Sequence, residues 1–148
     1  MSSVAIGDKY AQATADISRR AAYYAVPETD PEQHTVPAGE AWLLLGAVAI
    51  ATTTADVGNR TLQLQVVDAA GDVFYRTAVN TNIAASQTDV AQSFLLEGPA
   101  TASGGVVAMA KGIIVPEGMT VQVVDAAAIE ATDTFELKLM VERQLFGE

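Results

Sequence analysis

The stretch TLQLQVV at residues 61–67 alternates apolar and polar side chains, and the stretch TFELKLMVER at residues 134–143 does the same. A period of two is typical of a β-strand that buries one face and leaves the other in solvent. We therefore predict that both stretches are half-buried strands. The side chains predicted to form the core are Leu62, Leu64, Val66, Phe135, Leu137, Leu139 and Val141.

Turn-forming sequences divide the rest of the chain after Val36 into short apolar segments. VPAG at residues 36–39 and VPEG at residues 115–118 each precede such a segment, and VDAA occurs at both 67–70 and 124–127. Proline followed by glycine suits a type II turn, because glycine tolerates a positive φ. The predicted strands are Ala41–Thr53, Thr61–Val67, Val73–Val79, Val90–Leu96, Val106–Ala110, Ile113–Val115, Met119–Val124 and Thr134–Arg143. Short strands at this spacing predict an all-β fold, either an antiparallel β-sandwich or a jelly roll.

The first 35 residues differ from the rest in composition, and we predict an N-terminal arm over 1–35 and a β domain over 36–148. Asp8–Tyr24 favours a weak helix, and three prolines keep Ala25–Gly39 extended. His34, in this connector, is predicted to be solvated. The arm is too polar to form a core of its own, so its anchors dock either on its own domain or on another subunit. We favour another subunit, and the candidate anchors are Ile17, Arg19, Arg20, Tyr23 and Tyr24.

The composition points to subunit contacts and away from several ligand classes. Half of the 148 residues are apolar but only 6% are aromatic, and 18% are charged, against about 25% in typical domains. Small apolar side chains with so few charges predict a homo-oligomer. A net charge of −10 argues against nucleic acid as a partner, because phosphate binding needs a basic patch. No apolar run is long enough to cross a membrane, so no membrane partner is predicted.

The chain offers little for catalysis, and we predict no enzyme activity, no cofactor and no metal. There is no cysteine and one histidine, and no serine lies in a G-x-S-x-G motif. An enzyme built from dispersed loop carboxylates stays open as an alternative. Calcium could also gather turn aspartates, although no calcium-loop motif is present. Those aspartates are Asp56, Asp68, Asp72, Asp125 and Asp133.

Several turns together carry a resemblance to a known class of protein. The turns are PAG at 37–39, GNR at 58–60, DAAGDV at 68–73 and PEG at 116–118, within residues 36–142. This pattern resembles small structural proteins encoded among tailed-bacteriophage head genes. The resemblance implies a capsid decoration (cement) protein in the virion, assembled in the host cytoplasm. It also implies binding to the major capsid protein, with a trimer favoured.

Two other functions remain as alternatives. A tail or head-completion component fits the same resemblance. A carbohydrate- or receptor-binding β-sandwich module fits the fold, but it would normally expose clustered aromatic side chains, and Trp42 is the single tryptophan.

Overall fold

The structure, a computed structural model, describes the backbone of residues 23–25 and all atoms of residues 32–129 and 132–145. The described residues form strands, turns and loops, with no helix among them. The ten strands are β1 (Tyr23–Ala25), β2 (Gln33–Thr35), β3 (Glu40–Thr52), β4 (Leu62–Val67), β5 (Val73–Arg76), β6 (Val90–Leu95), β7 (Val106–Ala108), β8 (Ile114–Pro116), β9 (Thr120–Asp125) and β10 (Thr134–Leu145).

The strands form two sheets. Sheet I has the order β1-β10-β3-β6-β7, and β8 pairs with the first part of β3 beside β6. Sheet II has the order β2-β9-β4-β5. The pairs between named strands are antiparallel, except that β6 and β7 run parallel. The all-β prediction is therefore confirmed.

All eight strands expected from the sequence are present, with ends that differ by a few residues. β5 ends at Arg76 and not at Val79. Thr77 N–H still donates to Leu64 O in the same register, but Leu64 N–H donates to the Thr77 hydroxyl. Two strands were missed, β1 and β2. The helix predicted over Asp8–Tyr24 is wrong at its last two residues, which pair with the edge of β10; its other residues lie outside the described part of the chain.

One hydrophobic cluster joins the two sheets. It includes Trp42 and Phe94 from sheet I and Val121 and Val123 from sheet II. Six of the seven predicted core residues belong to it, and Phe135 is half-buried against it. Burial of alternate residues on both sheets explains why the period of two located the core.

A β-bulge in β3 changes which residues point inward. Met140 pairs with Gly46 but Val141 pairs with Leu44, so Leu45 is an extra residue in β3. Before the bulge the even-numbered Trp42 and Leu44 are buried, and after it the odd-numbered side chains are buried, namely Ala47, Ala49 and Ala51. A bulge twists a strand and redirects its side chains, and this one lies in the middle of the longest strand.

The two repeated turn sequences form two pairs of like turns. Gly39 and Gly118 have φ of 81° and 82°, and each turn closes with a 3.2 Å hydrogen bond from the residue after glycine to the proline carbonyl. The two turns also touch, since Gly118 N–H donates to Val36 O over 3.0 Å. Asp68 and Asp125 each accept backbone N–H groups from their own turns. These aspartates therefore serve as local turn acceptors.

His34 is not solvated as predicted. It lies in β2, is 3% exposed, and its Nε2–H donates to Leu137 O in β10 over 2.7 Å. This bond joins sheet II to sheet I. The prediction failed because strand pairing with β9 carries the connector into the two-sheet body.

Candidate interaction surface

The predicted arm anchors fall in two groups. Ile17, Arg19 and Arg20 lie outside the described residues. The backbones of Tyr23 and Tyr24 lie in β1, opposite Glu142 and Val141 of the same chain. Docking of the anchors on another subunit stays a prediction, but residues Tyr23–Ala25 of the arm lie at the β10 edge of sheet I.

The outer face of sheet I is apolar along β3, and the charged Glu136 and Lys138 of β10 lie on the same side as Met140. We define it by the half-buried Leu43, Leu45, Val48 and Ile50 of β3 together with the exposed Leu95, Ile114 and Met140 of neighbouring strands. Met140 is 55% exposed and Ile114 is 64% exposed. Contiguous exposed apolar surface on a protein usually marks a contact with another molecule or segment.

A groove of about 320 Å³ lies in this face at the bulge. Its lining includes Leu45, Val48, Leu95 and Met140, and Gly46 at its floor; we call it the bulge groove. A Cβ on Gly46 would lie 4.0 Å from Leu95 Cδ2, an ordinary contact distance. The groove is thus open because residue 46 carries no side chain.

The outer face of sheet II is polar and uncharged at its centre. Gln122 donates to Gln65, Gln65 donates to Gln63, and Gln63 donates to Thr77 O, over 3.0, 3.0 and 2.8 Å. These amides satisfy one another, so this face is compatible with solvent. The outer face of sheet II is therefore more polar than the outer face of sheet I.

A second apolar surface lies at the free edge of sheet II. Val73 and Phe74 of β5 and Val79, just beyond it, are exposed, and Phe74 is 70% exposed. We call these three residues the β5 edge. β5 is the terminal strand of the sheet, so its outer backbone groups are placed to pair with another strand.

Arg60 and Asp133 form a buried ion pair that fastens three loops. Arg60 Nε donates to Asp133 Oδ2 over 2.7 Å, and both side chains are 0% exposed. The other guanidinium donors reach Asp133 Oδ1, Thr54 Oγ1 and the carbonyls of Asp56 and Gly58. The Arg60 backbone also exchanges two 2.8 Å bonds with Ile83. Because protein acceptors occupy all five donors of the guanidinium, this group is structural.

The ion pair sets the protonation of both partners. Burial alone would raise the pKa of Asp133, but hydrogen bonds from Arg60 and Thr54 and the Arg60 charge outweigh burial and hold that pKa below its usual value. The hydrogen bond with Asp133 raises the pKa of Arg60 further. Both groups are therefore charged at neutral pH.

The lowered pKa of Asp133 predicts an acid-dependent loss of stability. The carboxyl of an unfolded chain titrates at about pH 4. The stabilisation by the ion pair is therefore complete above that pH and declines as the pH falls toward the lower folded pKa. We expect the difference in unfolding free energy between the natural chain and Asp133→Asn, measured with urea, to shrink between neutral pH and about pH 3. A difference that stays constant over this range would contradict the prediction.

The structure also bears on two kinds of site that the sequence raised, a tryptophan that stacks on sugars and a metal site built from carboxylates. Trp42 is buried, and its Nε1–H donates to Glu40 Oε1 over 3.1 Å, so its indole cannot stack on a sugar. Within residues 32–129 and 132–145 no three His, Asp or Glu side chains are grouped as metal ligands. The described part of the chain offers two apolar interaction surfaces, the outer face of sheet I and the β5 edge.

The surfaces were not predicted, although the sequence held signals for two features. Arg60 is one of only eight cationic residues and follows a Gly-Asn turn, which could have marked it as buried with a partner. Val73 and Phe74 are consecutive apolar residues, so the sequence does not alternate there. This is expected of a strand that is covered by a partner on its outer side. No pattern in the sequence predicts the bulge groove, because its lining residues come from three separate strands.

No helix among the described residues is long and apolar enough to cross a membrane. Comparison of the chain with known protein families, with curated proteins and with solved structures finds no match.

Proposed function

We propose that this protein is a non-enzymatic virion component that decorates and stabilises the outer shell of a tailed-bacteriophage capsid. Its partners would be further copies of itself, with a trimer favoured, and the major capsid protein. The proposal begins from the turn pattern of residues 36–142, which resembles phage head-gene structural proteins. The proposed location of the protein is the virion.

The observation that carries the proposal is the presence of two separate apolar surfaces on an acidic body. The outer face of sheet I and the β5 edge belong to different sheets, and the chain has a net charge of −10. A decoration protein needs two kinds of contact, one with sister copies and one with the shell. Apolar patches on a charged surface are typical of such contacts.

We further propose that the two sheets form an antiparallel β-sandwich of the jelly-roll type. The orders β1-β10-β3-β6 and β2-β9-β4-β5 give two sets of four strands, with the chain passing repeatedly between sheets. Eight strands in two sheets, connected as Greek keys, is the jelly-roll arrangement. β7 and β8 would then be additions to the connection between β6 and β9. The arm would contribute β1 and, before it, a helical segment.

The β5 edge gives the sharper test of the proposed function. A glutamate in place of Phe74 puts a charge into the proposed contact, where its desolvation opposes binding. We expect Phe74→Glu to remain folded, because the side chain is 70% exposed. We expect it to lose most of its binding to purified, undecorated capsid shells of the source phage in a co-sedimentation assay.

The matched control is Thr88→Glu, which adds the same charge at an exposed loop position. It should bind the shells as the natural chain does. Analytical ultracentrifugation of both variants separates self-association from shell binding. If the natural chain neither binds the shells nor assembles at any concentration, the proposed function is wrong.

A further inference from the structure

We infer that the outer face of sheet I is a contact between copies of this chain, in which one end of the face lies on the bulge groove of another copy. The inference deepens the proposed function and rests on the contact between sister copies that this function requires. It leaves the β5 edge, which belongs to sheet II, for the contact with the shell.

One end of the outer face carries a carboxylate and a projecting apolar side chain. Glu142 of β10 lies opposite Leu43 of β3, and Leu43 lies opposite Ile114 of β8. The three residues therefore form one row across three strands, and they line the same small hollow. Glu142 is half-buried, and Ile114 is 64% exposed. We call these three residues the acidic row.

The bulge groove lies three residues farther along β3 and carries the opposite charge. Met140 and Leu95 lie opposite Gly46 from its two sides, so the lining is apolar around a position without a side chain. The charged member of the lining is Lys138, whose side chain is 56% exposed. Its ion pair with Glu136 spans 3.7 Å. An ammonium group has three donors, so it can also meet a carboxylate of another copy.

The acidic row and the bulge groove are complementary in charge and in shape. When the acidic row of one copy lies over the groove of another, Glu142 meets Lys138 of the other copy. Leu43 and Ile114 then meet the apolar lining, which is open where Gly46 lacks a side chain. The opposite arrangement, with like ends together, brings two carboxylates into one contact and is repulsive.

The charge of the whole chain favours this pairing of unlike ends. With a net charge of −10, two copies repel one another over most of their surfaces, so we expect them to meet where apolar area is combined with matched charges. A basic partner would be attracted to the acidic surface in general and would meet Lys138 unfavourably. A contact between unlike ends can pass from copy to copy and close as a ring, which agrees with the trimer of the proposed function.

The first experiment places a charge on the acidic row. Ile114→Asp puts a carboxylate where the groove of another copy would remove it from water. In sedimentation velocity over a range of concentrations, we expect the natural chain to assemble and Ile114→Asp to assemble at least about tenfold more weakly. The control is Val57→Asp, which adds the same charge at a 94% exposed position between β3 and β4. It should assemble as the natural chain does, and far-UV circular dichroism shows whether each chain is folded.

The second experiment reverses the two charges singly and then together. Lys138→Glu and Glu142→Lys each place like charges at the contact, so each should weaken assembly several-fold. The chain with both replacements restores opposite charges and the natural net charge, and it should assemble nearly as well as the natural chain. An effect of net charge alone would instead strengthen the assembly of Glu142→Lys, because this replacement makes the chain less acidic. That result would overturn the inference.

The remaining outcomes separate this contact from the proposed function. Equal assembly of Ile114→Asp and the natural chain, or a double charge variant that assembles no better than the single ones, would contradict the contact. A natural chain that binds the capsid shells but stays monomeric at every concentration would overturn the contact alone. A natural chain that assembles through these residues but does not bind the shells would uphold the contact and overturn the decoration function.

Discussion

Replacing Asp133 by alanine is expected to lower the free energy of unfolding by about 3–5 kcal/mol. The change leaves the Arg60 guanidinium buried without its counter-charge, and it removes the acceptor of the 2.8 Å bond from Thr54 N–H. The cost arises mainly from the unpaired buried charge and less from the lost attraction. Urea denaturation at neutral pH, followed by circular dichroism, measures it.

An exposed ion pair provides the control. Lys138 and Glu136 lie 3.7 Å apart with both side chains partly in solvent, so Lys138→Met should change stability by less than about 1 kcal/mol. The double replacement Arg60→Met with Asp133→Leu should recover only part of the loss. It removes both charges, but the carbonyls of Asp56 and Gly58 then lose their donor. Equal stability of Asp133→Ala and the natural chain would show that the pair contributes nothing.

Replacing Leu64 by alanine is expected to cost about 2–5 kcal/mol. Leu64 is 0% exposed in the centre of β4, so the change removes buried methyl groups and leaves a cavity between the two sheets. The thermal unfolding midpoint should fall accordingly. Leu95→Ala makes the same chemical change on the outer face of sheet I, where Leu95 is 42% exposed.

The outer-face variant separates core packing from surface packing. It should cost less than half as much as Leu64→Ala, because a partly exposed side chain loses less burial. Similar losses for the two variants would show that the outer face is as fully covered as the core. A loss below about 1 kcal/mol for Leu64→Ala would contradict the assignment of the β4 inner face.

Much of the fold could be predicted because strand signals are local. Alternation in residues 61–67 and 134–143 gave the inward side chains of β4 and β10, and Pro-Gly turns bounded β3 and β9. Each signal depends on neighbours only a few residues away, so it survives in a single sequence. β1 and β2 were missed because they lie in the polar, proline-containing part of the chain, and pairing with the distant β10 and β9, not a local pattern, makes them strands.

The interaction surfaces could not be predicted in the same way. The bulge groove brings together Leu45, Leu95 and Met140, which lie on three strands far apart in sequence. The β5 edge is a surface only because no further strand follows it in sheet II. The predicted anchors Ile17, Arg19 and Arg20 depended on composition alone, and they remain predictions.

The all-β class, most strand positions and the inward side of β4 and β10 follow from the amino-acid sequence, because side-chain alternation is built into the geometry of a strand. What lies opposite each strand depends on the folded arrangement of the whole chain. That arrangement made Arg60 the partner of Asp133 across 73 positions and His34 the partner of Leu137 across 103. It also placed the bulge at Leu45. Those outcomes depend on which distant groups meet once the chain is compact, since a buried polar group must find its partner wherever the fold puts one.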